Sequence, residues 1–471
     1  MIIGREREAE ILQKKFTSEK SEFVAVYGRR RIGKTYLIRT FFENKFTLQL
    51  TGLANANLQE QLVNFQIAIQ EQHPFIAGQN VTSWTEAFLQ IKQCIEHSKQ
   101  KKKIIFIDEL PWFDTPKSNF IAALEHFWNS WASARKDILL IVCGSAASWM
   151  INKLINNKKG LHNRVTQRIK IDPFTLNECQ QFVQKRKVNL SQYQLIQLYM
   201  VLGGIPFYWE AIEKGKSAAQ IIDDLCFSKN GLLQNEFEKL YQSLFTKADR
   251  HELIIEALAK KGRGLSREEL LEATKMNNGG SFTTLLNELE ISGFLRKYVP
   301  FGKKSRNSLY QLTDFFSLFY LKFMKNTQPS NEQQWLKIID NPKYRAWSGY
   351  AFEQVCLAHV YQIKKALGIN GIESHNYAWK SKESDQGAQI DLVIDRRDDV
   401  VTVCEMKFSI HPFTIDKKYD AELRNKIGTF KYETKTRKAV FLALITTFGL
   451  TENMYSGNIQ NNLNMAVLFE Q

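Results

Sequence analysis

The chain is poor in cysteine: six in 471 residues, scattered along its length. Cys94, Cys143, Cys179, Cys226, Cys356 and Cys404 show neither a CxxC pair nor metal-ligand spacing, which excludes a zinc ribbon and a disulfide-stapled scaffold. Cys143 and Cys404 fall inside apolar stretches, and the set reads as reduced, mostly buried thiols. Long hydrophobic runs are missing as well. The longest, such as FFSLFYLKFM from Phe315 to Met324, are too short to span a bilayer, and the N-terminus is charged from Arg5 onward with no apolar signal core. No repeat or low-complexity tract is present. These absences lead us to expect a cytoplasmic protein with no membrane partner. Negative charge is in deficit: 64 Lys and Arg against 49 Asp and Glu leave a net +15, which favours a polyanionic partner, nucleic acid being the commonest. With 44% hydrophobic and 24% charged residues the chain should be globular, and its length suggests about three domains.

What is present is more telling. GRRRIGKT, Gly28 to Thr35, follows the apolar run EFVAVY and precedes the helical pattern YLIRTFFENKF. In GxxxxGK[ST] the glycines let the backbone wind tightly enough to aim several N–H groups at phosphates, and the next helix presents its positive dipole end. Gly28, Arg29, Arg30, Arg31, Ile32 and Gly33 would form the cradle for ATP, Lys34 would reach the β- and γ-phosphates, and Thr35 would ligate Mg²⁺. KIIFIDEL, Lys103 to Leu110, is a short apolar strand ending in two acids. Asp108 is expected in the Mg²⁺ shell, and Glu109 is expected to polarise the attacking water. DILLIVCGSA, Asp137 to Ala146, reads as another buried strand ending in the polar Ser145. Downstream, LHNRVTQRIKIDPF carries Arg164 and Arg168, either of which could contact a γ-phosphate in cis or from a neighbouring subunit. The second case requires a homo-oligomer.

The order GRE near the N-terminus, GRRRIGKT, FIDEL, a strand ending in GSA, Arg164 and Arg168 with DPF, then GGIP at Gly203 to Pro206 resembles the archaeal-type P-loop ATPases of the AAA+/STAND assemblage, which also occur in bacteria. The resemblance implies that Ser145 senses the γ-phosphate, that IIGREREAEIL starts an adenine-side helix, and that GGIP sits in a helical lid near a second sensor. The family often has Gly-Arg before the DPF-like strand. Here Asn163 precedes Arg164, which leaves the arginine finger open between Arg164 and Arg168.

Apolar runs alternating with helical patterns predict a parallel α/β sheet over residues 1–173, helices covering both faces. Residues 174–247 turn helical and read as the lid plus a connecting helix. Over residues 248–314, HELIIEALAKK, SREELLEATK and GGSFTTLLNELEISGF precede LRKYVPFGKKSRNSLYQLTD, two β-type runs around a basic loop. Three helices and a β-ribbon is the winged-helix order. Arg296, Lys297, Lys303, Lys304 and Arg306, with no acid among them, read as a phosphate clamp. The candidate recognition helix offers Ser281, Thr283, Thr284 and Asn287 but no Arg or Lys, and Glu288 and Glu290 lie near its end. That composition favours backbone binding or a structural role over base reading.

After TQPSNEQQ a third unit, residues 330–471, centres on the hairpin QIDLVIDRRDDVVTVCEMKFS. Side chains alternate across a strand, so Glu405 and Lys407 share one face and Cys404, Met406 and Phe408 the other. A turn centred on Asp398 sets Asp391 opposite Glu405, with Cβ atoms about 4.5 to 5.5 Å apart. Two carboxylates so close repel unless a cation intervenes, which makes Asp391 and Glu405 candidate ligands for Mg²⁺ or Mn²⁺. Lys407 could orient or deprotonate the water attacking a phosphodiester, Gln389 could aid water or phosphate positioning, and WSGYAFEQVCLAHV reads as a helix bearing Glu353. Lys417, Lys418, Arg424, Lys426, Lys431, Lys435, Arg437 and Lys438 make the following region basic, as expected beside DNA or on a solvated helix face.

A helical glutamate, an aspartate and ExK on the next strand resemble the PD-(D/E)XK restriction-endonuclease fold, whose pattern also occurs in modules fused to archaeal-type ATPases. In that resemblance Glu353 is the helical acid, Asp391 the metal-binding aspartate, and Glu405 with Lys407 the ExK pair. The expected class is therefore an α/β multidomain protein: a P-loop parallel sheet with helical lid, a winged helix and an α/β nuclease-like domain. Two functions follow: an ATPase controlling a metal-dependent nuclease on double-stranded DNA, or a nucleotide-gated DNA-binding scaffold whose nuclease fold only grips.

Overall fold

A computed structural model describes residues 2–76, 80–156, 161, 163–245, 247–262, 264–330, 333–339, 341–381 and 388–471. The chain divides into two compact units, Met1–Pro173 and Phe174–Gln471. Among the described residues no helix is long and apolar enough to cross a membrane, and all six cysteines are free and buried.

The first unit is built on five strands: β1 (Glu22–Tyr27), β2 (Leu48–Thr51), β3 (Lys103–Asp108), β4 (Ile138–Gly144) and β5 (Gln167–Lys170). All pairings are parallel, in the order β2-β3-β4-β1-β5. Central parallel strands are covered on both faces and therefore read as unbroken apolar runs; Phe23, Val24, Ala25 and Val26 of β1 are fully buried, as are Leu139 to Cys143 of β4. One face packs against the helices Leu58–Gln72, Trp84–His97 and Phe120–Ser130 through Leu62, Phe65, Phe88 and Phe127. Each such side chain, fully buried, contributes about 1.5 to 3 kcal/mol. The strand order places β4 between β1 and β3, so the carboxyl ends of these three strands open side by side, the usual place for a ligand crevice in such sheets.

The second unit begins with the helices Leu176–Lys185 and Gln192–Leu202, each entered through a capping box, Thr175 with Glu178 and Ser191 with Gln194. GGIP then brings two backbones together. Phe174 N donates to Gly204 O at 2.7 Å, and a Cβ on Gly204 would lie 1.9 Å from Phe174 O. Farther on, the helices Ala248–Ala259, Arg267–Thr274 and Gly280–Ile291 surround a three-stranded sheet of order β6-β8-β7, where β6 is Leu265–Ser266, β7 Leu295–Tyr298 and β8 Leu309–Leu312. TQPSNEQQ lies inside this unit, two of its residues outside the described set. Immediately after it Trp335 is buried against Phe227, Phe319 and Trp347, and Trp335 N donates to Asp223 Oδ1 at 2.6 Å.

A second five-stranded sheet closes the chain: β9 (Ser374–Lys380), β10 (Gln389–Arg396), β11 (Val400–Lys407), β12 (Ala439–Thr446) and β13 (Asn461–Leu463), in the order β13-β12-β11-β10-β9. β9, β10 and β11 are antiparallel neighbours, whereas β11, β12 and β13 run parallel. The helix Lys417–Thr434 makes the crossover between β11 and β12. Phe301, from the loop after β7, belongs to the core of this sheet: its N donates to Ala378 O at 2.8 Å and its ring packs on Tyr377 and Phe430.

Candidate functional sites

The loop between β1 and the helix Lys34–Phe41 contains three residues at positive φ, Gly28 (151°), Arg31 (68°) and Gly33 (85°). At Gly28 the requirement is also steric, since a Cβ would sit 2.3 Å from Ile171 O. At Gly33 there is open space, and the need is conformational alone. Arg29 is buried, Ile32 is buried and Arg30 and Arg31 are half-buried.

Lys34 is 5% exposed. Its Nζ donates to Gly28 O at 3.1 Å, Arg29 O at 2.7 Å and Ser145 Oγ at 3.1 Å. Thr35 Oγ1 donates to the buried Asp108 carboxylate, at 3.1 Å from Oδ1 and 2.9 Å from Oδ2. Glu109 stands in the left-handed region, φ 49° and ψ 48°. Its carboxylate accepts from Ser145 N at 3.1 Å and Ser145 Oγ at 2.6 Å. Ser145 therefore bridges Lys34 and Glu109. A hydroxyl beside a buried carboxylate and a buried ammonium over a glycine-shaped loop is a donor set that fits a Mg²⁺–nucleotide.

Arg164 and Arg168 are exposed; Arg168 Nη2 donates to Ile155 O at 3.5 Å, so the structure brings neither to the Lys34 cluster. One buried contact of this unit escaped the sequence reading. Arg5 is buried, and its Nη2 donates to Asp172 O at 2.7 Å, tying the N-terminal segment to the chain leaving β5. The GRE motif was its only signal.

In the second unit Glu353 lies on the helix Pro342–Ala358, Asp391 on β10, and Glu405 and Lys407 on β11. The β10–β11 register ends at Leu392 opposite Cys404, one step from Asp391 and Glu405. Along β11 Cys404 and Met406 are buried while Glu405 and Lys407 are half-buried. Glu353, Gln389 and Asp391 line a cleft of about 300 Å³ with Tyr350, Lys261 and Gly262. Gln389 Nε2 donates to Asp391 Oδ1 at 2.7 Å. Glu405 Oε2 takes Lys426 Nζ at 2.6 Å, while Oε1 accepts from Tyr419 OH at 3.2 Å and lies 3.4 Å from Lys407 Nζ. Burial, then the charges of Asp391 and Glu405, push the Glu353 carboxyl up to about 8. Burial and Glu405 also raise Asp391, against the hydrogen bond from Gln389. The four side chains therefore share one electrostatic neighbourhood. Among the described residues no group of three or more His, Cys, Asp or Glu is set to hold a metal ion; Asp391 and Glu405 are two carboxylates, and an ion held by them would have to retain several waters.

Two expectations about basic residues need correcting. Arg296 does not serve a phosphate clamp. It faces Gln311 across the β7–β8 pair, and its guanidinium turns inward to Gln311 Oε1 and Gln354 Oε1. Nor is the basic region after β11 a uniformly solvated face: Arg424 pairs with Asp420, Lys438 with Asp395 and Lys426 with Glu405. On the candidate recognition helix, Thr283 and Thr284 return their hydroxyls to Gly279 O and Gly280 O, and Glu288 binds His251. Those groups are spent inside the protein.

Comparison with known proteins agrees with the geometry of the phosphate loop in the first unit. MJECL04 of Methanocaldococcus jannaschii is 24% identical over 377 residues, 78% of each chain. The ATP-binding protein MJ0423 of the same organism is 47% identical over 45 residues, 10% of this chain and 76% of that one. The Walker-type ATPase PABY2304 of Pyrococcus abyssi superposes with a TM-score of 0.50 at 18% identity, over 68% of this chain and 96% of that one, a likeness of fold. Residues 2–212 match the family described as an ATPase domain predominantly from Archaea. The chain thus carries an archaeal-type P-loop ATPase domain.

Proposed function

We propose that nucleotide state in the ATPase domain controls a nucleic-acid-binding, metal-dependent nuclease-like half that cleaves or processes double-stranded DNA. Lys34, Thr35 and Asp108 would hold ATP and Mg²⁺, which supply the reactive anhydride and the charge that offsets its oxygens. Glu109, fixed by Ser145, would orient the attacking water, and an exposed Arg164 or Arg168 would act in trans in a homo-oligomer. The helices and small sheet of residues 248–314 support a winged-helix reading, with Lys303, Lys304 and Arg306 at the wing. In the C-terminal half, Asp391 and Glu405 would hold Mg²⁺ or Mn²⁺, Lys407 would orient or deprotonate water, and Glu353 would complete the acidic set. The supporting observation is that Glu353 and Asp391, from a helix and a strand, line one cleft, and that the charges of Asp391, Glu405 and Lys407 all act on Glu353.

The test is plasmid digestion with Mg²⁺ or Mn²⁺, with and without ATP, comparing wild type, Asp391→Ala and Lys34→Ala. Cutting should vanish in Asp391→Ala and lose its ATP dependence in Lys34→Ala; cutting that survives Asp391→Ala sinks the assignment. A second reading, a DNA-gripping scaffold with an inactive nuclease fold, draws on one observation: both oxygens of Glu405 are already engaged by protein groups. Lys407 at 35% exposure is not sealed by packing, which favours the enzyme.

A further inference from the structure

The helix Lys417–Thr434 presents Tyr419, Leu423, Lys426 and Phe430 along one stripe, at the three- and four-residue steps that mark a single helix face. Leu423 and Phe430 are buried in the core of the C-terminal sheet. A lysine in that stripe departs from the pattern, because burial of an ammonium is costly unless it is paired. Lys417, Lys418, Arg424 and Lys431 on the same helix are exposed. Lys426 is not: its side chain is 20% exposed, and its Nζ lies 2.6 Å from Oε2 of Glu405, itself 11% exposed.

Resting on the nuclease-like reading of this site, we infer that Lys426 is a further positioning residue, the counter-ion of Glu405 that a divalent cation must displace. Lys426 Nζ already holds Oε2 at 2.6 Å, so an ion approaching that oxygen competes with the ammonium for it. With Lys407 and Lys426 in place, Asp391 and Glu405 are already offset by two positive charges, so each added cation meets repulsion as well as attraction. Once displaced, the ammonium remains tethered beside Glu405, within reach of a phosphodiester oxygen bound there. The site thereby keeps its acids neutralised until ion and substrate arrive together.

The experiment is Mn²⁺ binding to the full-length protein without nucleotide, followed by electron paramagnetic resonance, with Glu405→Gln marking which bound Mn²⁺ belongs to this site. Lys426→Met should tighten that Mn²⁺ about tenfold, and Lys426→Arg, which keeps the charge, should stay within about threefold of wild type. At saturating Mn²⁺, Lys426→Met should raise the KM for DNA more than it lowers kcat, as loss of a phosphate contact does. Lys426→Gln is the second neutral variant should methionine disturb folding, judged by circular dichroism and an unchanged ATPase rate. Unchanged or weaker Mn²⁺ binding in the neutral variants, beside a wild-type site that Glu405→Gln removes, overturns the inference and leaves the nuclease reading standing. Absence of any site sensitive to Glu405→Gln in all the proteins overturns both.

Discussion

Arg296 Nη2 donates to Gln354 Oε1 at 3.0 Å, joining β7 to the helix position next to Glu353. The same guanidinium binds Gln311 Oε1, and Gln311 Nε2 reaches Gly262 O at 2.5 Å, so the small three-stranded sheet and the acid-bearing helix share one polar network. Leaving such a network half satisfied, by removing one member, costs more than an apolar core would. Arg296→Met should therefore destabilise the protein by about 2 to 4 kcal/mol in denaturant unfolding, since it strands two amide oxygens. Being internal, Arg296 should leave the salt dependence of the proposed DNA binding unchanged. Lys304→Ala, at an exposed position, should lower that slope by about one. Equal slopes for wild type and Lys304→Ala would remove the wing from the nucleic-acid surface.

Ser145 Oγ donates a hydrogen bond to Glu109 and accepts one from Lys34, so the lysine of the phosphate loop and the candidate water-orienting acid are linked through one hydroxyl. Glu109→Gln should lower the kcat of ATP hydrolysis about 100-fold or more with little change in nucleotide affinity, because its contribution belongs to the transition state. Lys34→Ala should instead weaken ATP binding. Ser145→Ala should fall between, with kcat reduced about tenfold. Isothermal titration beside a phosphate-release assay separates these cases, and a Glu109→Gln protein that hydrolyses ATP at the wild-type rate would assign the water to another residue.

The phosphate loop was legible because its chemistry is local: glycines at fixed offsets, a lysine and a threonine within one turn, between a strand and a helix. The alternation of β11 was legible for a similar reason, since period two puts Glu405 and Lys407 on one face whatever surrounds them. Partners far apart in sequence were not. Nothing in GRE says that Arg5 reaches Asp172, and nothing in a basic helix distinguishes Lys426, which faces Glu405, from Lys431, which faces solvent. Arg296 was misread because charge at the start of a wing looks like a clamp, while its strand register, opposite Gln311, directs it inward.

Gly204 carries a constraint that Gly203 shares only in part. A Cβ on Gly204 would overlap the Phe174 backbone, 1.9 Å from O and 2.6 Å from N, whereas one on Gly203 meets only the Phe315 ring at 3.3 Å. Gly203 instead needs its backbone conformation, φ 57° and ψ −160°, a region open essentially to glycine alone. Gly204→Ala should cost about 3 kcal/mol, at the upper end of overpacking, and Gly203→Ala about 1 to 3 kcal/mol, for the backbone strain alone. Denaturant midpoints of the two variants check the order; a milder effect at Gly204 than at Gly203 would mean that the two backbones separate easily.

His359 sets a pH limit on the second unit. Its Nε2 accepts from Leu176 N at 2.9 Å and its Nδ1 donates to Val355 O at 2.7 Å, a pair of bonds that only the neutral Nδ1–H form can make. Burial holds its pKa down at about 4, below the usual 6.5. A group whose folded pKa is depressed binds more protons in the unfolded chain between those two values, so unfolding becomes easier as pH falls from 6.5 and the loss is complete below about 4. At 1.36 kcal/mol per unit, the loss approaches about 3 kcal/mol. Carboxylates titrate over the same range, so the contribution of His359 is isolated by difference. His359→Leu should be less stable than wild type at pH 8 by about 1 to 3 kcal/mol, because Leu176 N–H loses its acceptor, and the gap should shrink or reverse as the pH falls to 4. A gap that stays constant from pH 8 to pH 4 would mean that His359 keeps an ordinary pKa in the folded protein, with Leu176 N–H finding another acceptor once Nε2 is protonated.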